Sequence, residues 1–178
     1  MKKLFIIFLL NIALNPILFS QVEKTHRLTI KEIKLECAKI NKTLKGFQNS
    51  DEKMFTNIRV TEIEVDKYKS NNHPGLGANN SKTTLYYLLE EHDDRLIKIE
   101  HVNAVAANNS YNEYYFEENQ LIFYYEKTDF YEERMYFNEE KLIEFRYNKE
   151  KIKSDNLTKE HYGKAGETKD ASKKRCWY

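Results

Sequence analysis

The chain has little of what commonly marks a function. It holds two cysteines, two prolines, five glycines and one tryptophan in 178 residues, and its formal net charge is +1. Two cysteines cannot make a disulfide-dense scaffold, and the separation of Cys37 from Cys176 fits no zinc or thioredoxin-like motif. So little proline and glycine excludes collagen-like or low-complexity character. Gly75-Leu76-Gly77 is too short to cradle a phosphate. With no global basic balance, nucleic acid is not expected as a partner.

Catalytic patterns are missing in the same way. The five histidines, His26, His73, His92, His101 and His161, are scattered, and none stands in a motif with a serine or cysteine. The stretch Glu90-Glu91-His92-Asp93-Asp94 offers oxygen and imidazole donors but lacks the spacing and the glycine of a calcium loop, so it reads as a solvated turn. In Glu117-Glu118, Glu132-Glu133 and Glu139-Glu140, strand neighbours would point to opposite faces, which suits solubility better than acid–base chemistry. No catalytic residue, metal or cofactor is expected.

What is present begins at the N-terminus. Met1-Lys2-Lys3 is basic, Leu4 to Phe19 is an apolar run broken by Asn11, Asn15 and Pro16, and Ser20 precedes a polar stretch. This is the pattern of a cleavable signal peptide over 1–20. The run is shorter than the roughly 20 apolar residues of a bilayer span, so no membrane span is expected after cleavage. The destination is periplasm or medium. The mature chain then carries a formal charge of −1, with an acidic segment 111–150 and a basic segment 151–178. In an oxidising compartment Cys37 and Cys176 are expected to pair with each other. That bond would tie a polar, loosely held tail, 151–178, back onto a single domain, 21–150.

Within that domain residues 25–47 read as a helix, because Ile33, Cys37, Ile40 and Leu44 share one face and Gly46 stands where a helix would stop. Ile58, Val60, Ile63 and Val65 mark an extended segment whose alternation slips, suggesting a bulge or a turn. A loop follows at 70–80. From there an internal repeat dominates. Tyr114-Tyr115-Phe116, a polar turn and Leu121-Ile122-Phe123 recur as Met135-Tyr136-Phe137, a polar turn and Leu142-Ile143-Glu144-Phe145, with a looser copy at Tyr86-Tyr87-Leu88 and Arg95-Leu96-Ile97. Successive hairpins of this type build an antiparallel meander. The expected fold is α+β, one helix on a curved meander of about six strands.

Unbroken period-two alternation assigns Met135, Phe137, Ile143, Phe145 and Tyr147 to the core, and by repeat Tyr114, Phe116, Ile122 and Tyr124. It leaves Tyr115, Phe123, Tyr125 and Tyr136, with Glu144 and Arg146, on the outer face as a candidate binding surface. The hairpin arrangement resembles small uncharacterised exported proteins of Gram-negative bacteria that carry an N-terminal helix followed by Tyr-Tyr-Phe/Leu-Ile-Phe hairpins. The resemblance covers 25–150 and implies the same fold, but no activity. The functional expectation is a non-enzymatic exported binding domain, of inhibitor or immunity type, gripping a basic protein partner through its acidic, tyrosine-rich face. Two other readings stay open: a small-ligand carrier with a pocket between helix and sheet, and an enzyme whose residues converge only in three dimensions.

Overall fold

A computed structural model describes residues 28–49, 57–66, 79–91, 93–105, 108–152 and 156–175. The expected signal peptide, most of the loop at 70–80, and His26, His73, His92 and Cys176 lie outside the described residues. Helix α1 (Ile30–Asn49) is followed by eight strands: β1 (Ile58–Asp66), β2 (Asn79–Leu88), β3 (Arg95–Val105), β4 (Asn108–Glu117), β5 (Gln120–Thr128), β6 (Glu132–Asn138), β7 (Lys141–Tyr147) and β8 (Glu150–Ile152). Helix α2 (Lys159–Arg175) ends the described chain. The strands form one antiparallel sheet in sequence order. The α+β meander is therefore as expected, but with eight strands rather than six. The polar tail contributes a strand and a helix instead of hanging loose. No helix among the described residues is long and apolar enough to cross a membrane.

Helix α1 starts later than its periodicity suggests because a capping box fixes its end. The Thr29 N–H and hydroxyl both donate to Glu32 Oε2 at 2.7 Å, and the Glu32 N–H donates to Thr29 Oγ1 at 3.3 Å. Two otherwise orphaned N–H groups are thereby satisfied. Just before the cap, the Leu28 N–H donates to Asn138 Oδ1 at 3.2 Å, which ties the helix entry to the β6–β7 turn. Gly46 falls inside the helix, which runs on to Asn49. As the spacing predicts, Ile33, Ile40 and Leu44 are buried on one stripe, with Cys37 packed beside them.

The sheet buries both faces. One core gathers Tyr114, Phe116, Leu121, Met135, Phe137 and Phe145 with Ala165 of α2. The other gathers Tyr86, Ile97, Tyr115, Ile122 and Tyr136 with Ile33, Ile40 and Leu44 of α1. Two-sided burial also explains the slip in β1, which pairs with β2 in unbroken register. Ile58 and Val60 pack towards α1, whereas Ile63 packs towards α2.

The repeat contains a device that alternation alone does not reveal. In each of three hairpins the register shifts at the same place, so that Tyr86 faces Lys98, Tyr115 faces Phe123 and Tyr136 faces Glu144, while the next residue pairs faces Leu96, Leu121 and Leu142. Ile97, Ile122 and Ile143 are each the extra residue of a β-bulge. The leucine therefore points to the α2 core and the isoleucine to the α1 side. Ile122 and Ile143 consequently leave the core set to which unbroken alternation assigned them, and Tyr147 is 42% exposed.

Three hairpin turns hold two residues each, at Glu118-Asn119, Glu139-Glu140 and Asn148-Lys149, all with positive φ from 46° to 73°. Both central residues are left-handed, the geometry that favours Asn-Gly. Only one residue at each of two turns is asparagine, so side chains with a Cβ penalty occupy the rest. Lys149→Gly, behind Asn148, is expected to raise the unfolding free energy by about 1 kcal/mol. A denaturant midpoint that does not rise would show that this turn carries no such strain.

Helix α2 is held by small and polar groups. Ala165, Thr168 and Ser172 are its buried residues. Its N-terminus is capped by Thr158, whose N–H donates to His161 Nδ1 at 3.0 Å, and the His161 ring meets Phe145 edge-on at 4.9 Å. Lys164 reaches down to the buried Glu133 and lies 3.9 Å from Glu126, which faces Glu133 across the strands. Burial pushes the Glu126 carboxyl above its ordinary range, against the pull of Lys164.

Candidate functional site

The residues expected to form an outer binding face do not form one. Tyr115 is 1% exposed and Tyr136 3%, both beneath α1, and Phe123 packs beside them. The helix lies on the side of the sheet that alternation had left open, so these aromatics are core. Glu144 is also buried, held by Arg146 and Lys151 at 2.6 Å each. Burial would raise its carboxyl, but the hydrogen bonds from Lys151 and Arg146 outweigh it and hold the group below its ordinary value. Phe123, Tyr125 and Arg146 are partly exposed, Phe123 packing against the buried cluster under α1. The Arg134 guanidinium lies 4.9 Å from the Tyr125 ring centre, and Arg134 faces Arg146 across the strands, so this part of the face is cationic rather than acidic.

Cys37 faces the sheet on the α1 side, and burial, with Glu113 and Glu36 nearby, pushes its thiol up to about 12. Helix α2, which ends at Arg175, packs on the opposite side. The expected pairing with Cys176 falls outside the described residues.

Beneath α1 lies a polar cluster that the sequence did not announce. Lys98 Nζ is 2.7 Å from both Glu100 and Glu113, and it donates to Asn41 Oδ1 at 3.1 Å. The Tyr115 hydroxyl donates to the same Asn41 oxygen at 2.9 Å, the Tyr111 hydroxyl to Glu113 at 2.8 Å, and the Tyr86 hydroxyl to Glu100 at 2.9 Å. The cluster fastens α1 to β2, β3 and β4. Burial works against the Lys98 charge, but the Tyr115 oxygen and the two glutamates raise its pKa overall. Burial also pushes Tyr86 and Tyr115 up to about 12. Lys98 stays cationic and these phenols neutral around pH 7, so none is poised as a general acid or base.

The other feature is a cleft of about 340 Å³ between the last turns of α2 and the turn end of the sheet. Its floor is apolar, made by Tyr87, Leu96, Phe116 and Leu121 of β2 to β5. Two of the bulges help create this floor by turning Leu96 and Leu121 towards α2 while Ile97 and Ile122 turn away. Lys169 and Lys173 of α2 stand at the rim with Glu140, to whose carbonyl oxygen Lys169 Nζ donates at 2.8 Å. Across the rim Asp94 pairs with Arg59, whose guanidinium lies 4.6 Å from the Tyr87 ring centre. Glu90 pairs with Arg95 at 2.9 Å, so two of the acidic groups in the 90–94 turn serve ion pairs. Among the described residues no group of three or more histidine, cysteine or carboxylate side chains is arranged to hold a metal. A cleft floor of this type leaves a faint trace in sequence, the repeat leucines Leu96 and Leu121, but the rim comes from a helix that reads as a polar tail.

No family model matches the chain, and neither curated proteins nor solved structures give a match.

Proposed function

We propose that the protein is an exported, non-enzymatic binding domain whose site is the cleft beneath α2, taking a small amphiphile with an apolar body and an anionic end. The observation that carries this reading is the floor of Tyr87, Leu96, Phe116 and Leu121 set under the rim lysines Lys169 and Lys173. Concave apolar surface with a few placed polar groups is the usual form of a small-molecule site. Three cations, Arg59, Lys169 and Lys173, stand around two carboxylates, Asp94 and Glu140, so an anionic end is the better fit. The absence of a poised acid or base in the Lys98 cluster favours binding over chemistry, and burial of Tyr115 and Tyr136 argues against the inhibitor-type face. The test is displacement of an anionic fluorescent probe, anilinonaphthalene sulfonate, by dodecanoate. Saturable competition is expected, and Lys173→Glu should weaken it by about tenfold with thermal unfolding little changed, whereas Tyr87→Ala should weaken it as much while also lowering stability, because the ring packs against the core. Absence of saturable binding, or binding indifferent to both substitutions, would overturn the reading.

A further inference from the structure

Beside α1, on the same side of the sheet, one cross-strand row sorts its charges by position. It runs Glu62, Thr84, Glu100 and Glu113 on β1 to β4, each facing the next. It continues through Tyr125 on β5 to Arg134, Arg146 and Lys151 on β6 to β8. Like charges thus stand directly opposite one another at both ends, an arrangement that costs stability in a sheet. Neighbours on the same face offset this only in part. Lys82 and Lys98 serve the carboxylates Glu62, Glu64, Glu100 and Glu113, and Glu132 and Glu144 serve Arg134, Arg146, Lys151 and Lys127. Counted over the strands alone, each end keeps a surplus of about two charges, negative over β1–β4, where Lys45 of α1 borders Glu100 and Glu113, and positive over β5–β8. Between them Tyr125 is half-exposed, and within the negative half Val102 of β3, facing Lys82, is 45% exposed.

We propose that this strip is a docking surface for a helix of a protein partner, lying alongside α1, cationic at its end over β1–β4 and anionic at its end over β5–β8. Complementary charge at both ends fixes the direction of docking and steers the encounter, while the central Tyr125 and, towards the acidic end, Val102 give contact area. A helix of about 18 residues is about 27 Å long, enough to cross about six strands spaced at about 4.8 Å. The surface is separate from the cleft, which lies on the other side of the sheet. It also reverses the sign expected for the neighbourhood of Tyr125 and Arg146, where the partner must be acidic.

The experiment uses two alanine-rich helical peptides of one composition, one with glutamates and lysines segregated into opposite halves and one with them alternating. Binding to the full-length protein is read by fluorescence anisotropy. At low salt the segregated peptide should bind at least about tenfold more tightly, and the preference should fade as salt is raised. Lys127→Glu, at an exposed position, should abolish the preference, as should Glu62→Gln with Glu64→Lys, with the melting temperature little changed. Equal binding of the two peptides would overturn the proposal, and so would a preference that survives both variants. If neither peptide binds and the variants instead lower the melting temperature, the strip is covered by the chain itself and the proposal fails.

Discussion

Lys98→Met is expected to lower the unfolding free energy by about 3–5 kcal/mol, the cost of breaking a buried ion pair by removing one partner. Lys98 is 4% exposed, and methionine fills much the same volume, so packing is not the main loss. What goes is the cation between Glu100 and Glu113, which face each other across β3 and β4. Two partly buried carboxylates would then repel one another next to α1, and Asn41 would lose one of its two donors. Chemical denaturation should show a lower midpoint at unchanged slope. Adding Glu113→Gln to Lys98→Met should recover part of the loss, because the penalty comes from the stranded charge and not from the missing methylenes. A double variant no more stable than Lys98→Met alone would sink that account.

Phe137→Ala should cost about as much, roughly 3–5 kcal/mol, for a different reason. Phe137 has no exposed surface and lies in the core shared with α2. Its neighbours there include Met135 on its own strand and, on β7, Phe145 and Leu142, the last facing it directly, so the cavity cannot collapse freely. Phe137→Leu leaves most of the volume filled and should cost clearly less. Tyr125→Ala, at a half-exposed position on the charged strip, serves as the control and should stay within about 1 kcal/mol. Equal losses at Phe137 and Tyr125 would mean that the assignment of buried and open positions is wrong.

The meander was legible in the sequence because its information is local. Tyr-Tyr-Phe and Leu-Ile-Phe runs around two-residue polar turns specify hairpins by themselves, and hairpins joined end to end leave little choice of topology. The side of the sheet was less legible. Period two runs unbroken only in the absence of bulges, and a bulge at Ile122 or Ile143 leaves no mark, since isoleucine suits either core. One slipped residue moves the rest of a strand to the other face. The covering of the second face was missed because α2 buries Ala165, Thr168 and Ser172 instead of large apolar groups. Small side chains let a helix approach a sheet closely, yet they read as the polar side of a tail. The cleft was illegible for the same reason, since its rim belongs to α2. The charged row was hidden too, because cross-strand neighbours such as Arg134 and Arg146 are assigned only once the register is fixed.

The order in which the layers occur along the chain sets a timetable for synthesis. The helix that covers one face is made before the eight described strands, so Tyr115 and Tyr136 find their cover waiting as each hairpin is completed. The opposite face has no such provision. Phe116, Met135, Phe137 and Phe145 are all finished while α2 is still to be translated. A nascent or truncated chain ending near residue 152 therefore presents a zipped sheet with one greasy side bare, a target for holdase chaperones and a seed for aggregation. The last helix is the piece that makes the molecule safe to release.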